Sequence, residues 1–387
     1  MGSLFFLAGQ SLRHRRGQTA VLVFGLAVPI YLVLAVNGLV LRYQDSLVRR
    51  AEATPLVAGG PGSRFDLVLH ALYFRGRVPH PLKMADLAAM RETGYALPIP
   101  LHVRHTARRF PVVGTTLDYF AFRRLEVAVG GQLLQLGDCV LGAAAAAELR
   151  LGPGGRLPTD PDNLFDLAGS YPVKLLVRGV LSSAGTPDDR AVFVDLKTAW
   201  LLDGLCHGHA DVTGTNTEAA LLLARTATNV TAGAAVPEDT EVTPGNIASF
   251  HLHGDPADLP VSAVLPVAPD ARSATLLRGR YQAPESTVQI LAARGVVEEL
   301  LGLVLRIKRF FDANALLVAV STGLFLILVV LLSLRLRRAE METLFRIGCA
   351  RGFTVRLVGL ELGLVASMAL LVAGAGIAIT FALAPAW

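Results

Sequence analysis

Three apolar stretches of membrane length constrain this chain more than any other feature of it. A bilayer core of roughly 30 Å takes about 20 residues of helix. Thr19 to Leu41 is uncharged throughout, with Pro29 inside as a kink. Ala313 to Leu334 has Asn314, Ser321 and Thr322 as its only polar side chains before Ser333. Val358 to Ala384 holds one carboxylate, Glu361, near its start. Composition agrees, since 52% of the 387 residues are hydrophobic, 17% are charged and mean hydropathy is +0.50. That shortage of charge excludes a disordered chain and a simple cytosolic enzyme. Three cysteines, Cys139, Cys206 and Cys349, exclude a disulfide framework.

Arg13, Arg15 and Arg16 imitate the basic start of a signal peptide. The apolar run behind them exceeds the roughly 7–15 residues of such a peptide, and no A-x-A-like site follows. It reads as an uncleaved span. Leu4 to Leu12 are apolar enough to lie along the interface as a short amphipathic helix. The same arginines, with Arg335, Arg337, Arg338, Arg346, Arg351 and Arg356 between the second and third stretches, place both groups in the cytoplasm. The intervening segment of about 270 residues is then extracytoplasmic. Arg306, Lys308 and Arg309 flank the second span on its outer side, but long domains translocate largely regardless of charge. Orientation explains the net charge of +5 better than nucleic acid does, and no nucleic-acid partner is expected.

The outer segment mixes helix and strand signals. Pro81 to Thr93 has helical spacing and stops at Gly94, and Val140 to Leu151 is Ala-rich and helical up to Gly152. Leu101 to His105 and Phe110 to Val113 read as strands. Val173 to Leu181 and Ala191 to Leu196 read as a hairpin about the turn Gly185–Asp189. Residues 204–248 read as loop, with β-rich patches at Ala248 to His253 and Val261 to Pro266. From Val296 to Leu334 the strongest breaker is Gly302, which predicts one helix close to 58 Å long at about 1.5 Å per residue. Its outer part forms a stalk, and the helix-compatible Arg42 to Ala53 supplies a second strut. The expected fold is an α-helical membrane protein of three spans with a large α+β extracytoplasmic domain on a helical stalk. Its expected divisions are residues 1–41, 42–295, 296–312 and 313–387, with a cytoplasmic coupling helix at 339–350.

This order of parts resembles the MacB/FtsX family of ABC transporter permeases, and three motifs strengthen the resemblance. Val112-Val113-Gly114-Thr115-Thr116-Leu117-Asp118-Tyr119-Phe120 is similar to a stretch of the family's periplasmic core. Asp138-Cys139-Val140-Leu141-Gly142, the Ala run behind it and Glu148-Leu149-Arg150-Leu151-Gly152 are similar to a second. Glu340-Met341-Glu342-Thr343-Leu344-Phe345-Arg346-Ile347-Gly348 resembles the elbow that docks into the ATP-binding subunit of relatives. Glu342 stands where the family has Gly, and Phe345-Arg346 where it has a basic residue and Ala. The family also has a fourth span. This sequence shows three, so the expectation is that the C-terminus ends outside or that a last span has been lost.

The resemblance implies a permease subunit in the inner membrane, coupled through Glu340, Met341, Leu344, Ile347 and Gly348 to a separate ABC ATP-binding subunit that holds ATP and Mg²⁺. It implies a second permease subunit, most simply as a homodimer, contact with membrane lipid, and a periplasmic or outer-membrane partner. Substrates of the export, lipoprotein, peptide or drug class are then handled outside the membrane. The alternative is a signalling scaffold that activates an extracytoplasmic partner without transport. The chain has no phosphate loop and no nucleophile-elbow or H-E-x-x-H signature, so an enzyme is not expected. Cys206, His207 and His209, with His251 and His253, are candidate ligands for Zn²⁺ or Cu²⁺, because H-x-H in a strand puts both imidazoles on one face; two incidental loops are the competing reading. Asp160-Pro161-Asp162-Asn163 reads as a turn rather than a calcium loop. Glu361 is expected to snorkel or to pair with Arg356 or Arg351. Gly359-x-x-x-Gly363 and Gly374-x-Gly376 would let helices approach closely.

Overall fold

The fold was analysed in a computed structural model. It describes residues 2–76, 78, 80–161, 173–208, 222–225, 230–232, 241–252, 254–283, 285–336, 342–343, 346 and 351–383. The chain divides into two compact units, Met1–Ser46 with Leu301–Ala386, and Leu47–Leu300.

The first unit is helical. α1 (Gly2–His14) is followed by α2 (Arg16–Glu52), which runs unbroken through Pro29 and on into the second unit. Among the described residues, three helices are long and apolar enough to cross a membrane: α2, Ala293–Leu332 and Val355–Leu383. Val23 and Ala27 of α2 pack against Val365, Ala369 and Ala373 of the last helix. Tyr31 Oη and Thr380 Oγ1 share a hydrogen bond of 2.8 Å across that seam. Small residues at four-residue spacing let the backbones approach. The spacing that achieves this is Val365-Ala369-Ala373, not Gly359 and Gly363, where an added Cβ would meet nothing. Gly376, by contrast, lies against the Tyr31 ring.

The second unit is mixed α+β. In chain order it contains β1 (Leu56–Gly59), α3 (Arg64–Tyr73), β2 (Leu82–Lys83), α4 (Met84–Glu92), β3 (Leu97–Ala107), β4 (Phe110–Thr115), α5 (Leu117–Arg123), β5 (Val127–Gly130), β6 (Asp138–Leu141) and α6 (Ala143–Leu149). There follow β7 (Arg156–Pro158), β8 (Lys174–Leu181), β9 (Val192–Asp195), α7 (Leu196–Leu202), β10 (Cys206–His207), β11 (Leu222–Arg225) and β12 (Val230–Ala232). Last come β13 (His251–Leu252), β14 (Pro260–Val261), β15 (Ala263–Val267), α8 (Ala271–Arg280) and β16 (Gln289–Ala292), and then α9 (Ala293–Leu336) and α10 (Arg351–Leu383).

Side-chain caps fix several helix starts. Ser63 accepts from Asp66 N–H at α3, Asp195 from Lys197 N–H at α7 and Asp270 from Ser273 N–H at α8. Ten strands form one sheet in the order β16-β1-β15-β3-β4-β9-β6-β8-β5, with β7 also pairing β8. One apolar core, around Leu56, Leu87, Met90, Val264 and Leu277, lies toward the β16 end. A second, around Cys139, Leu141, Leu175, Val192 and Val194, lies toward the β5 end.

Several sequence expectations need correction. β8 and β9 do not form a hairpin, because β6 lies between them, parallel to β8 and antiparallel to β9. All four β6 residues are buried, so this short apolar run has its place in the middle of the sheet. For the same reason Val140 and Leu141 are strand, and the Ala-rich helix begins only at Ala143. The helix expected from Pro81 begins at Met84, after Leu82 and Lys83 pair with β14. Residues 204–248 are not all loop, since β10, β11 and β12 lie there. The long helix to residue 336 does continue through Gly302.

Candidate functional site

The residues with most chemistry gather where α2 ends inside the second unit. Arg50, in its last turn, is 7% exposed, Asp188 1% and Tyr119 0%. Arg50 Nη1 donates to Asp188 Oδ2 at 2.6 Å and Nη2 to Oδ1 at 2.9 Å, a bidentate pair. Tyr119 Oη donates to Asp188 Oδ1 at 2.6 Å and accepts from Arg50 Nη2 at 3.1 Å. Thr186 Oγ1 donates to Asp188 Oδ2 at 2.9 Å, and Arg50 Nε to Leu72 O at 3.3 Å. Burial alone would raise the Asp188 carboxyl, but the Arg50 guanidinium and the hydrogen bonds from Arg50 and Tyr119 hold it below the usual carboxylate range. Burial and the Asp188 charge push the Tyr119 phenol up to about 12.

The stretches from Val112 to Phe120 and from Asp138 to Gly152, singled out in the sequence, converge on this cluster. In the first, Gly114 lets β4 lie against Ala199, and Thr115 Oγ1 donates to Pro100 O at 2.8 Å. Tyr119 then reaches Asp188, while Phe120 packs against Phe193 with centroids 5.3 Å apart. In the second, Gly142 follows β6 where an added Cβ would collide with the carbonyl oxygens of Asp188 and Asp189. Its N–H donates to Ala191 O at 2.9 Å.

The second long helix starts beside the end of the first. β1 follows α2 within a few residues, β16 directly precedes α9, and the two strands pair antiparallel with Leu56 opposite Ala292. Arg294 of α9 pairs with Glu52 of α2 at 3.1 Å, and Ala293 N–H donates to Pro55 O at 3.3 Å.

A histidine cluster ties α7 to β3. His102 and His105, three residues apart, would face opposite sides of a regular strand. The register shift between Val103 and Thr106 turns both toward Asp203. His102 Nε2 lies 2.8 Å from Asp203 Oδ2, and His105 Nε2 2.7 Å from Oδ1. Burial opposes the Asp203 charge, but these two hydrogen bonds keep its carboxyl well below the usual range. Nearby, His70 Nδ1 donates to Gly76 O at 3.0 Å, and Nε2 lies 2.7 Å from Ser262 Oγ. Burial pushes the His70 imidazole down from 6.5. Neither this cluster nor the Arg50 network was anticipated. The only hints were H-x-x-H in a strand and a basic pair ending an apolar helix.

Among the predicted metal ligands, Cys206 lies opposite Leu252 and His207 opposite His251 in the β10–β13 pair. Cys206 is buried in the apolar core, and burial raises its thiol. His251 is exposed, and its Nδ1 lies 3.1 Å from Ser249 O. His209 and His253 lie outside the described residues. No cluster of three or more metal-binding side chains occurs among the described residues. Cys139 and Cys206 are both free thiols. Asp160 accepts from Arg108 N–H at 3.0 Å, Arg109 N–H at 2.9 Å and Thr106 Oγ1 at 2.7 Å, closing the β3–β4 turn. Glu361, 8% exposed, lines a cavity of about 60 Å³ together with Ser11, Arg15, Gln18 and Thr19. The elbow residues Glu340, Met341, Leu344, Ile347 and Gly348 lie outside the described residues.

No protein-family model matches the chain, and no curated protein matches it. Among solved structures it is similar to the periplasmic region of MacB from Actinobacillus actinomycetemcomitans, at 10% identity and a TM-score of 0.37, over 64% of this chain and 94% of that one. It is also similar to the extracellular domain of the noncanonic ABC-type transporter YknZ from Gram-positive bacteria, at 13% identity and a TM-score of 0.33, over 61% of this chain and 98% of that one.

Proposed function

We propose that the chain is the membrane subunit of an ABC transporter of the MacB/FtsX type. In this reading the mixed α+β unit is extracytoplasmic and the helices lie in the cytoplasmic membrane. ATP is bound and hydrolysed by a separate subunit docked at the elbow, and two copies of the chain assemble around a pair of those subunits. The observation that carries the reading is the insertion of the α+β unit between two membrane-length helices, entered through β1 and left through β16, which pair with each other. In this reading a displacement of the helices reaches the outer unit through short connections, three residues between α2 and β1 and none between β16 and α9. The elbow motif read from the sequence supplies the cytoplasmic end. Export, or handling of lipoproteins, peptides or drugs, is the expected use.

The test is capture of tagged chain from native membranes in nanodiscs, in parallel with Leu344→Glu. An ATP-binding subunit that accompanies the native chain and is lost from the variant supports the reading. Absence of any ATPase from the native capture overturns it.

A further inference from the structure

We infer that the cavity where β4 and β9 end is a binding site for a small amphipathic anion, an apolar body that carries one carboxylate; this goes beyond the permease reading and holds with or without an ATPase partner. β4 and β9 are parallel neighbours, and their last residues, Thr115 and Asp195, lie opposite each other. α5 and α7 follow within a residue or less of those ends. The crevice outside the carboxyl ends of parallel strands is where open α/β sheets take their ligands. Here those ends border a cavity of about 580 Å³, lined by residues of the second unit alone. Sites for small molecules span roughly 300–1,000 Å³.

The lining is mostly apolar. Cys206 belongs to the core behind it, and Leu136, Phe250 and Leu252 pack onto that core from the cavity side. Leu117 and Leu134 also line it, yet they are 56% and 75% exposed. Large apolar side chains left in water beside an apolar hollow gain by being covered with an apolar body. Most polar groups of the lining already have partners. Thr115 Oγ1 donates to Pro100 O, Gln135 Oε1 accepts from Arg178 Nη2 at 3.3 Å, and Asp195 Oδ2 accepts from Lys197 N–H at 3.1 Å. The Lys197 ammonium has no hydrogen-bond or ion-pair partner among the described residues, and its charge reaches the Cys206 thiol. With Asp195 engaged in capping α7, the charge left for a ligand is positive, and its complement is a carboxylate.

The probe is decanoate carrying a diazirine at its far end, photolysed with the full chain in nanodiscs, and adducts are mapped by mass spectrometry. The expected result is a saturable adduct within residues 247–252 of the cavity wall. Adducts in the three long helices, from probe dissolved in the bilayer, should not saturate and serve as the internal standard. Plain decanoate should compete for the cavity adduct at least about fivefold better than decanol or decyltrimethylammonium, and Lys197→Gln should remove that preference. Leu134→Asp should abolish the adduct, whereas Val129→Asp, 58% exposed and outside the cavity, should leave it. Adducts confined to the long helices, or cavity adducts that never saturate, overturn the site. Equal competition by decanoate and decyltrimethylammonium, or a preference that survives Lys197→Gln, overturns the anionic assignment. Capture of an ATPase, or failure to capture one, bears on neither result.

Discussion

Removing Arg50 alone should cost the outer unit far more than removing its whole polar network. Arg50→Met leaves the Asp188 carboxylate 1% exposed, with only the Tyr119 and Thr186 hydroxyls as side-chain donors. An unpaired buried charge of this kind costs about 3–5 kcal/mol. For a unit of this size each kcal/mol moves the midpoint by roughly 2–4 °C, so the transition should fall by roughly 6–20 °C. Replacing the network by apolar groups, as Arg50→Met/Asp188→Leu/Tyr119→Phe, removes the charge together with its partners. Such replacements are often neutral, so stability should return to within about 2 kcal/mol of the native chain. Trp200, 5% exposed and bonded through Nε1 to Pro260 O at 2.9 Å, reports on this unit by fluorescence during thermal or urea unfolding of the full chain in detergent. A single variant within about 1 kcal/mol of native, or a triple variant no better than the single, would refute the assignment of a buried, mutually compensated network.

Gly142→Ala should lower stability by about 1–3 kcal/mol, because its Cβ meets the carbonyl oxygens of Asp188 and Asp189. Gly152→Ala, where a Cβ meets nothing, is the control, and equal urea midpoints for the two would sink the argument. Asp160→Ala should cost about 1–2 kcal/mol by unbinding the β3–β4 turn. Arg108→Gly should recover part of that loss, since Arg108 holds φ at 50°, and an additive loss in the double variant would contradict it. Acid should unfold the outer unit in two stages. The His70 pKa is depressed, so its contribution is complete above 6.5 and is lost as pH falls through the lower folded value. The depressed Asp188 and Asp203 contribute above 3.8 and are lost below it. A urea midpoint that rises between pH 6.5 and 5 would be incompatible with this order.

The long helices were legible because an uninterrupted apolar run needs no partner to be recognised. The sheet was legible only in pieces. Val173 to Leu181 alternates as a strand should, Ala191 to Leu196 follows it across a turn, and adjacency in sequence suggested that they pair. What separates them is β6, a four-residue strand whose buried side chains carry no period and whose Ala-rich continuation reads as helix. The stretch from Val112 to Phe120 was visible as a pattern, but the task of Tyr119 depends on Asp188, 69 residues later, and on Arg50, 69 residues earlier. Contacts that long leave no local signature. His102 and His105 were missed for a different reason, since only a local register shift puts both on one side of the strand.

The pairing of β1 with β16 also bears on how such a chain can change. Adjacent strands lie about 4.8 Å apart, so the whole outer unit begins and ends at nearly one point. A two-residue type I′ turn could join Leu56 to Ala292 and leave both long helices in their native register. By the same geometry, any other fold whose first and last strands neighbour each other could be spliced in at that point without moving either helix. The unit is in this sense a cassette: recombination at the β1–β16 pair could exchange the whole of it while the sequence of both long helices is kept.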